Sequence, residues 1–329
     1  MTLFRGLLHV FLIFLPLGLN SCSPKLEPAG SNFFRPSLES DKIIQTDGTA
    51  LPVRTWIPKG EIRAVIVALH GFNDYSRAFE KPAAYMKERG IATYAYDQRG
   101  FGGNQNPGIW PGHDTLIGDA ATCIALVRAL HPKKRLFLLG ESMGGAVAML
   151  TLAKIKKPLD GLILVGPALR GRKHLGPLLS GILWIAAHTI PWFPLSGEGL
   201  EIQASDNITM LNELQKDPLV LKAARVDAIK GLVDLMDEAI KSGPSISTRT
   251  LLLYGLNDEL IPQHATLEVS KSIKYGTNFK SIPYKHGWHM LLRDLNSAIV
   301  LKDLLDWIDM VDTLVISSHS IQNVNYLQF

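Results

Sequence analysis

Cysteine is nearly missing from this chain: Cys22 and Cys123, far apart, are the only two in 329 residues. That excludes a disulfide scaffold and any cysteine-rich metal site. An excess of one charge is missing as well. The 34 basic and 30 acidic side chains leave a net +4 with no basic run to concentrate it, so nucleic acid drops out as a partner. There is no internal repeat. What the chain does have is 47% hydrophobic against 19% charged residues, at a length that suits one large α/β domain or two small ones. Such a composition buries a core and excludes disorder and collagen-like structure. A globular enzyme or binding protein is left.

The first residues read as an address. Arg5 supplies a positive charge, Gly6 to Leu19 carries no charged side chain, and Leu19-Asn20-Ser21-Cys22 follows. The stretch is short of the roughly 20 apolar residues of a membrane-spanning helix, and Pro16 would disturb one. It suits the apolar region of a secretory signal. The Leu-x-Ser-Cys ending resembles the bacterial lipoprotein signal, which implies cleavage after residue 21 and a lipid on Cys22. That makes the expected product an exported, membrane-anchored lipoprotein of the bacterial envelope; an ordinary signal or an uncleaved anchor is the rival reading. Residues 22–40, rich in Pro, Ser and Gly, are expected to form a tether, with the folded domain starting near Asp41. Cys123 lies in a helical pattern and is expected to be buried and inert.

Beyond the tether, apolar runs alternate with helical patterns. Ile62 to Leu69, Ile91 to Tyr96, Arg135 to Leu139, Leu162 to Val165 and Thr250 to Tyr254 are nearly unbroken and rich in branched side chains, as strands buried on both faces are. Helical patterns at Arg77 to Arg89, Leu116 to Leu130 and Ala146 to Lys154 separate them. Strand, helix, strand demands crossovers, hence an α/β fold with a mainly parallel sheet and helices on both faces.

The chemistry gathers at Gly140-Glu141-Ser142-Met143-Gly144, between an apolar strand and an Ala-rich helix. Gly-x-Ser-x-Gly in that context is a tight turn that lifts the serine hydroxyl above the sheet, which makes Ser142 the candidate nucleophile. The helix start places the Met143 backbone N–H beside it. A serine hydroxyl needs a histidine base and an acid to orient that base, in the order Ser, acid, His. Asp258, four residues past the strand ending at Tyr254, is the candidate acid; Glu259 would point elsewhere. For the base, His286 and His289 both stand in Tyr284-Lys-His-Gly-Trp-His-Met, and a loop-to-helix junction favours His289 without excluding His286. His70, ending the first long strand, is expected to hold a loop rather than to catalyse.

Taken together, His70-Gly71-Phe72, Asp97-Gln-Arg99-Gly-Phe-Gly102, Gly140-Glu-Ser142-Met-Gly144, the Asp258 segment and Gly287-Trp-His289-Met-Leu resemble the α/β-hydrolase superfamily over about Asp41 to Asp309. Within it they are similar to the monoacylglycerol lipase and lysophospholipase group, also labelled serine aminopeptidase-like. The resemblance implies Ser142 as nucleophile, Asp258 as acid and His289 as base, with an oxyanion hole from the backbone N–H groups of Phe72 and Met143. It implies no metal or organic cofactor. Glu141 stands where the group usually has histidine, and Asn73-Asp74-Tyr75 replaces its commoner Gly/Glu/His run. Both departures touch substrate preference.

Residues 167–246 interrupt the strand pattern and are expected to form an inserted helical cap between core segments 41–166 and 247–312, with a tail at 313–329. Leu178 to Ala187 and Ile190 to Leu195 are unusually apolar, fitting either a lid with an acyl tunnel inside and a bilayer outside, or simple packing of cap on core. The expected activity is hydrolysis of a lipophilic monoacyl ester, a lipid or ester small molecule, through an acyl-serine. A small-ester hydrolase, a serine peptidase or an acyltransferase would use the same triad, and a non-enzymatic envelope lipoprotein is the remaining alternative. Epoxide hydrolysis and dehalogenation are disfavoured, because the nucleophile there is usually aspartate.

Overall fold

The computed structural model describes residues 23–155, 157–197, 199, 202–273 and 279–320. The signal, Cys22 and residues 321–329 lie outside the described residues. The chain opens with short strands β1 (Ser37–Leu38), β2 (Lys42–Ile44) and β3 (Ala50–Trp56), then β4 (Ala64–Leu69). A 3-10 turn at Ser76–Phe79 leads into α1 (Glu80–Lys87), followed by β5 (Ile91–Tyr96), α2 (His113–Leu130), β6 (Arg135–Glu141), α3 (Met143–Thr151) and β7 (Gly161–Val165). An inserted region holds α4 (Arg172–Thr189), β8 (Pro194–Ser196), α5 (Ile208–Lys216), β9 (Ala223–Arg225) and α6 (Val226–Ser242). The core resumes with β10 (Thr250–Gly255), α7 (Gln263–Ser272), β11 (Phe279–Tyr284) and α8 (Ser297–Ser320).

Among the described residues nine strands make one sheet in the order β1-β2-β3-β5-β4-β6-β7-β10-β11. From β5 to β11 every neighbour is parallel, while β1, β2 and β3 join antiparallel at one edge. The five runs read as two-faced strands are buried except at two of their starts, where Ile62, Arg63 and Arg135 are half-buried, so α/β with a mainly parallel sheet is the observed class. One face packs on α2, α3, α6 and α7 through residues such as Leu116, Val127, Met143, Leu235 and Val269. The other packs on α1 and α8 through Met86, Leu301, Leu304 and Trp307. Each such side chain, taken fully from water, contributes about 1.5–3 kcal/mol. No helix among the described residues is long and apolar enough to cross a membrane.

The parallel strands share one C-terminal edge, and the loops there come from separate crossovers, which is where such sheets bind ligands. The inserted region follows β7 and covers that edge.

Candidate active site

The turn after β6 builds the centre of the site. Ser142 has φ 53° and ψ −119°, a left-handed conformation that costs a non-glycine residue about 1–3 kcal/mol. Its N–H donates to the Val165 carbonyl at 3.0 Å, and α3 starts at the next residue. Gly144 makes this turn possible: a β-carbon there would lie 2.1 Å from the Leu69 carbonyl oxygen. The strand-to-helix turn therefore sits directly against the end of β4.

His289 Nε2 lies 2.9 Å from Ser142 Oγ, and His289 Nδ1 lies 2.7 Å from Asp258 Oδ2. The other oxygen, Asp258 Oδ1, accepts from the Leu260 and Ile261 N–H groups at 2.9 Å each, which locks the carboxylate in its turn. With Nδ1–H donating to the carboxylate, Nε2 is left to accept the serine proton. His286 is exposed on the same loop, away from the serine. Glu259 accepts from the Gln203 N–H at 2.6 Å and takes no part.

The second wall is the loop after β4. Gly71 approaches so closely that a β-carbon there would meet the Ser142 β-carbon at 3.2 Å, so the following N–H, that of Phe72, lies on a segment flanking the serine. The N–H groups of Phe72 and Met143 have no protein partner among the described residues. His70 anchors this loop. Its Nε2 accepts from the Gln98 N–H at 2.8 Å, so the proton resides on Nδ1, which donates to the Gly71 carbonyl at 2.8 Å. Complete burial pushes its pKa below the usual histidine range, in keeping with a neutral ring fixed as a brace. The Phe72 ring meets Phe101 edge-on at 5.4 Å, which fastens the far side of the loop.

Below the serine lies a buried cluster that sequence reasoning did not assemble. Arg293 donates to Asp74 Oδ2 at 2.8 Å and to Glu141 Oε2 at 3.2 Å. It thus ties the histidine loop, the loop after β4 and the residue before the nucleophile to one another. A second tie is the Ser205 hydroxyl, which donates to Asp294 Oδ1 at 2.6 Å, while Asp294 Oδ2 accepts from the Trp288 N–H at 2.8 Å. The signal in the sequence was faint: Glu141 at an unusual position, and an arginine four residues after His289.

A cavity of about 380 Å³ opens at Ser142 and His289. Its apolar lining includes Leu214 of α5, Leu232 and Met236 of α6, and Leu260, Ile261 and Met290; Asp74, Glu141 and Arg293 are among its polar lining. The apolar stretch of α4 is not part of that lining. Leu178 is 74% and Trp184 57% exposed, and Ala187 is the one buried residue in the helix. Those two side chains face outward, whereas Leu183 of the same stretch packs on the cluster of Ala168, Val233, Met236 and Ile261.

The sheet order, the strained serine after β6 and the hydrogen-bonded Ser142, His289 and Asp258 define an α/β-hydrolase with a serine nucleophile in position. Residues 60–296 match the Hydrolase_4 family, described as serine aminopeptidase S33, and the chain belongs to that family of serine hydrolases. The chain is 24% identical over 268 residues to a monoacylglycerol lipase of Mycolicibacterium smegmatis, covering 79% of this chain and 93% of that protein. It is also 24% identical over 259 residues to human monoglyceride lipase, covering 77% and 84%. Among solved structures, a soluble variant of monoglyceride lipase from Saccharomyces cerevisiae in complex with a substrate analogue superposes with a TM-score of 0.71 at 16% identity, covering 86% of this chain and 98% of that one.

Proposed function

We propose that the protein hydrolyses lipophilic monoacyl esters, of the monoacylglycerol or lysophospholipid kind. The observation that carries this reading is the cavity at Ser142, lined mainly by apolar side chains of the cap and the neighbouring loops, which suits an acyl chain, with Asp74, Glu141 and Arg293 as polar lining beside it. The similarity to monoacylglycerol lipases supports it.

In this reading His289 Nε2 takes the Ser142 proton as Oγ attacks the ester carbonyl. The Phe72 and Met143 N–H groups hold the oxyanion, and the tetrahedral intermediate collapses with cleavage of the bond to the alcohol. The proton passes from His289 to the leaving alcohol. Water, deprotonated by the same histidine, then attacks the acyl-serine, and the fatty acid leaves as Oγ regains its proton. Asp258 keeps the ring oriented and stabilises its charged form.

The test is hydrolysis of p-nitrophenyl esters from two to sixteen carbons by wild type and Ser142→Ala. The expected result is a rise toward medium or long chains and a loss of at least about 10³-fold in the variant. Undiminished activity in Ser142→Ala would overturn the assignment, and activity confined to acetate would move it to small esters. Residues 1–22 support export and lipidation of Cys22, hence attachment to a membrane of the bacterial envelope; mass spectrometry showing an unmodified Cys22 would remove that part.

A further inference from the structure

The segment between the lipidation site and the domain is fastened to the protein almost from its first residue. The Lys25 N–H donates to Asp227 Oδ2 at 3.0 Å, Leu26 bridges to Trp110, the Glu27 N–H donates to the Trp110 carbonyl at 3.0 Å, and the Ala29 N–H donates to Thr115 Oγ1 at 3.0 Å. Asp227 is the second residue of α6, and Trp110 is buried with its indole directly on Gly231 of the same helix. The strap therefore grips the base of the cap.

The place of that grip matters. Asp227 also donates its own N–H to the Pro191 carbonyl at 3.1 Å, and the Val226 N–H donates to the Phe193 carbonyl at 3.1 Å. Lys25 thus meets the cap beside Trp192 and Phe193, which are 54% and 49% exposed and continue the outward apolar face of α4. Two residues, Ser23 and Pro24, separate Cys22 from Lys25, a reach of at most about 11 Å. A lipid on Cys22 would lie within that reach of the exposed apolar face, so that both could meet one bilayer.

We propose that residues 25–30 are an orienting strap, which holds the lipidated end of the chain against the apolar edge of the cap so that the enzyme lies on the bilayer cap-first. The occupant of the α4 to Phe193 face is a phospholipid surface. This inference rests on the lipoprotein reading of residues 1–22, and the experiment separates the two.

Lipidated full-length protein is placed on vesicles of phosphatidylethanolamine and phosphatidylglycerol doped with a bromo-acyl lipid. Wild type is compared with Lys25→Pro/Glu27→Pro/Ala29→Pro, which removes the three strap donors that reach Asp227, Trp110 and Thr115 and leaves the Gly30 bond to Asp47. A second variant carries about fifteen Gly/Ser residues between Pro24 and Lys25, which frees the anchor and leaves every strap bond intact. The wild-type tryptophan emission is expected to be quenched, and Trp184→Phe/Trp192→Phe to remove the quenched signal. Both strap variants should sediment with the vesicles as wild type does but lose most of the quenching. They should hydrolyse vesicle-borne monoacylglycerol about fivefold more slowly, because the local concentration of correctly oriented sites falls, with p-nitrophenyl butyrate turnover unchanged. Wild-type quenching and vesicle rates in the Gly/Ser variant would overturn the strap. Quenching that follows protein concentration and not lipid would assign the face to a second copy and overturn it too. A full-length chain that fails to sediment, or carries no lipid on Cys22, would overturn the lipoprotein reading and remove the anchor on which the strap acts.

Discussion

Glu141, when ionised, is a surplus charge in the buried cluster around Arg293. Arg293 already has a counter-charge in Asp74 at 2.8 Å, so an ionised Glu141 adds a second buried carboxylate to one guanidinium. Burial pushes the Glu141 carboxyl above its ordinary range, against the pull of Arg293. A carboxyl raised on folding holds its proton more tightly in the native state. Native stability therefore falls as pH rises from the ordinary carboxylate range through the raised value, then levels off. Glu141→Gln, which keeps the shape and an acceptor for Arg293, is expected to gain on wild type over that interval; melting temperatures of both proteins from pH 4 to 8 check it. A constant difference would show that the Glu141 carboxyl is not raised on folding. Arg293→Met should behave oppositely, losing about 3–5 kcal/mol because two buried carboxylates are left uncompensated. Ser142 and Asp258 were legible because each stands in a short local pattern, a glycine-flanked turn and an aspartate just past a strand, whereas the loop pattern left His286 beside His289 and only the family resemblance chose between them. Arg293 was not legible, since its meaning depends on partners 219 and 152 residues away.

Strands buried on both faces were the easiest elements to read, since a parallel sheet covered by helices tolerates only apolar runs such as Ala64–Leu69 and Gly161–Val165. Edge strands were missed. In Phe279–Tyr284 no residue is fully buried and Pro283 interrupts the pattern, while Lys42–Ile44 is too short to show alternation. The helices were placed with their ends displaced, most of all α3, which begins at Met143 and not Ala146, because Ser142 and not a later residue ends the strand-to-helix turn. The cap held two apolar helices that the sequence alone could not tell apart in role. Leu232 and Met236, one turn apart on α6, line the cavity, whereas the greasier α4 faces outward. Leu232→Trp is accordingly expected to shorten the cavity and lower kcat/KM for decanoate and longer esters roughly tenfold relative to butyrate. Trp184→Gln should leave that ratio for soluble esters unchanged. An unaltered chain-length profile in Leu232→Trp would place the acyl group elsewhere.

Arg99, in the loop after β5, joins α2 to the β2–β3 turn and through that turn to the strap, which binds the N-terminal edge to the core that carries the site. Its guanidinium donates to Asp119 of α2 at 2.9 and 3.0 Å, to Asp47 in the β2–β3 turn at 2.8 Å, and to the Thr49 hydroxyl at 2.8 Å. Asp47 in turn accepts from the Gly30 N–H at 3.0 Å, at the end of the strap. The hairpin, the strap, α2 and the loop after β5 are thereby joined through one nearly buried charge group. Burial alone would raise the Asp47 carboxyl, but hydrogen bonds from Arg99, Thr49 and Gly30 outweigh it and hold the carboxyl well below the usual range. A depressed carboxyl stabilises the native state fully above the ordinary carboxylate pKa and progressively less as pH falls below it. Asp47→Ala should therefore cost about 1–3 kcal/mol at neutral pH, the loss of charged hydrogen bonds from a mostly buried site. Denaturant unfolding of both proteins from pH 7 to 3 should show the gap closing at the acid end. A gap that holds constant to pH 3 would mean that Asp47 contributes through packing alone, and that the N-terminal edge is held by its backbone pairing and not by the Arg99 cluster.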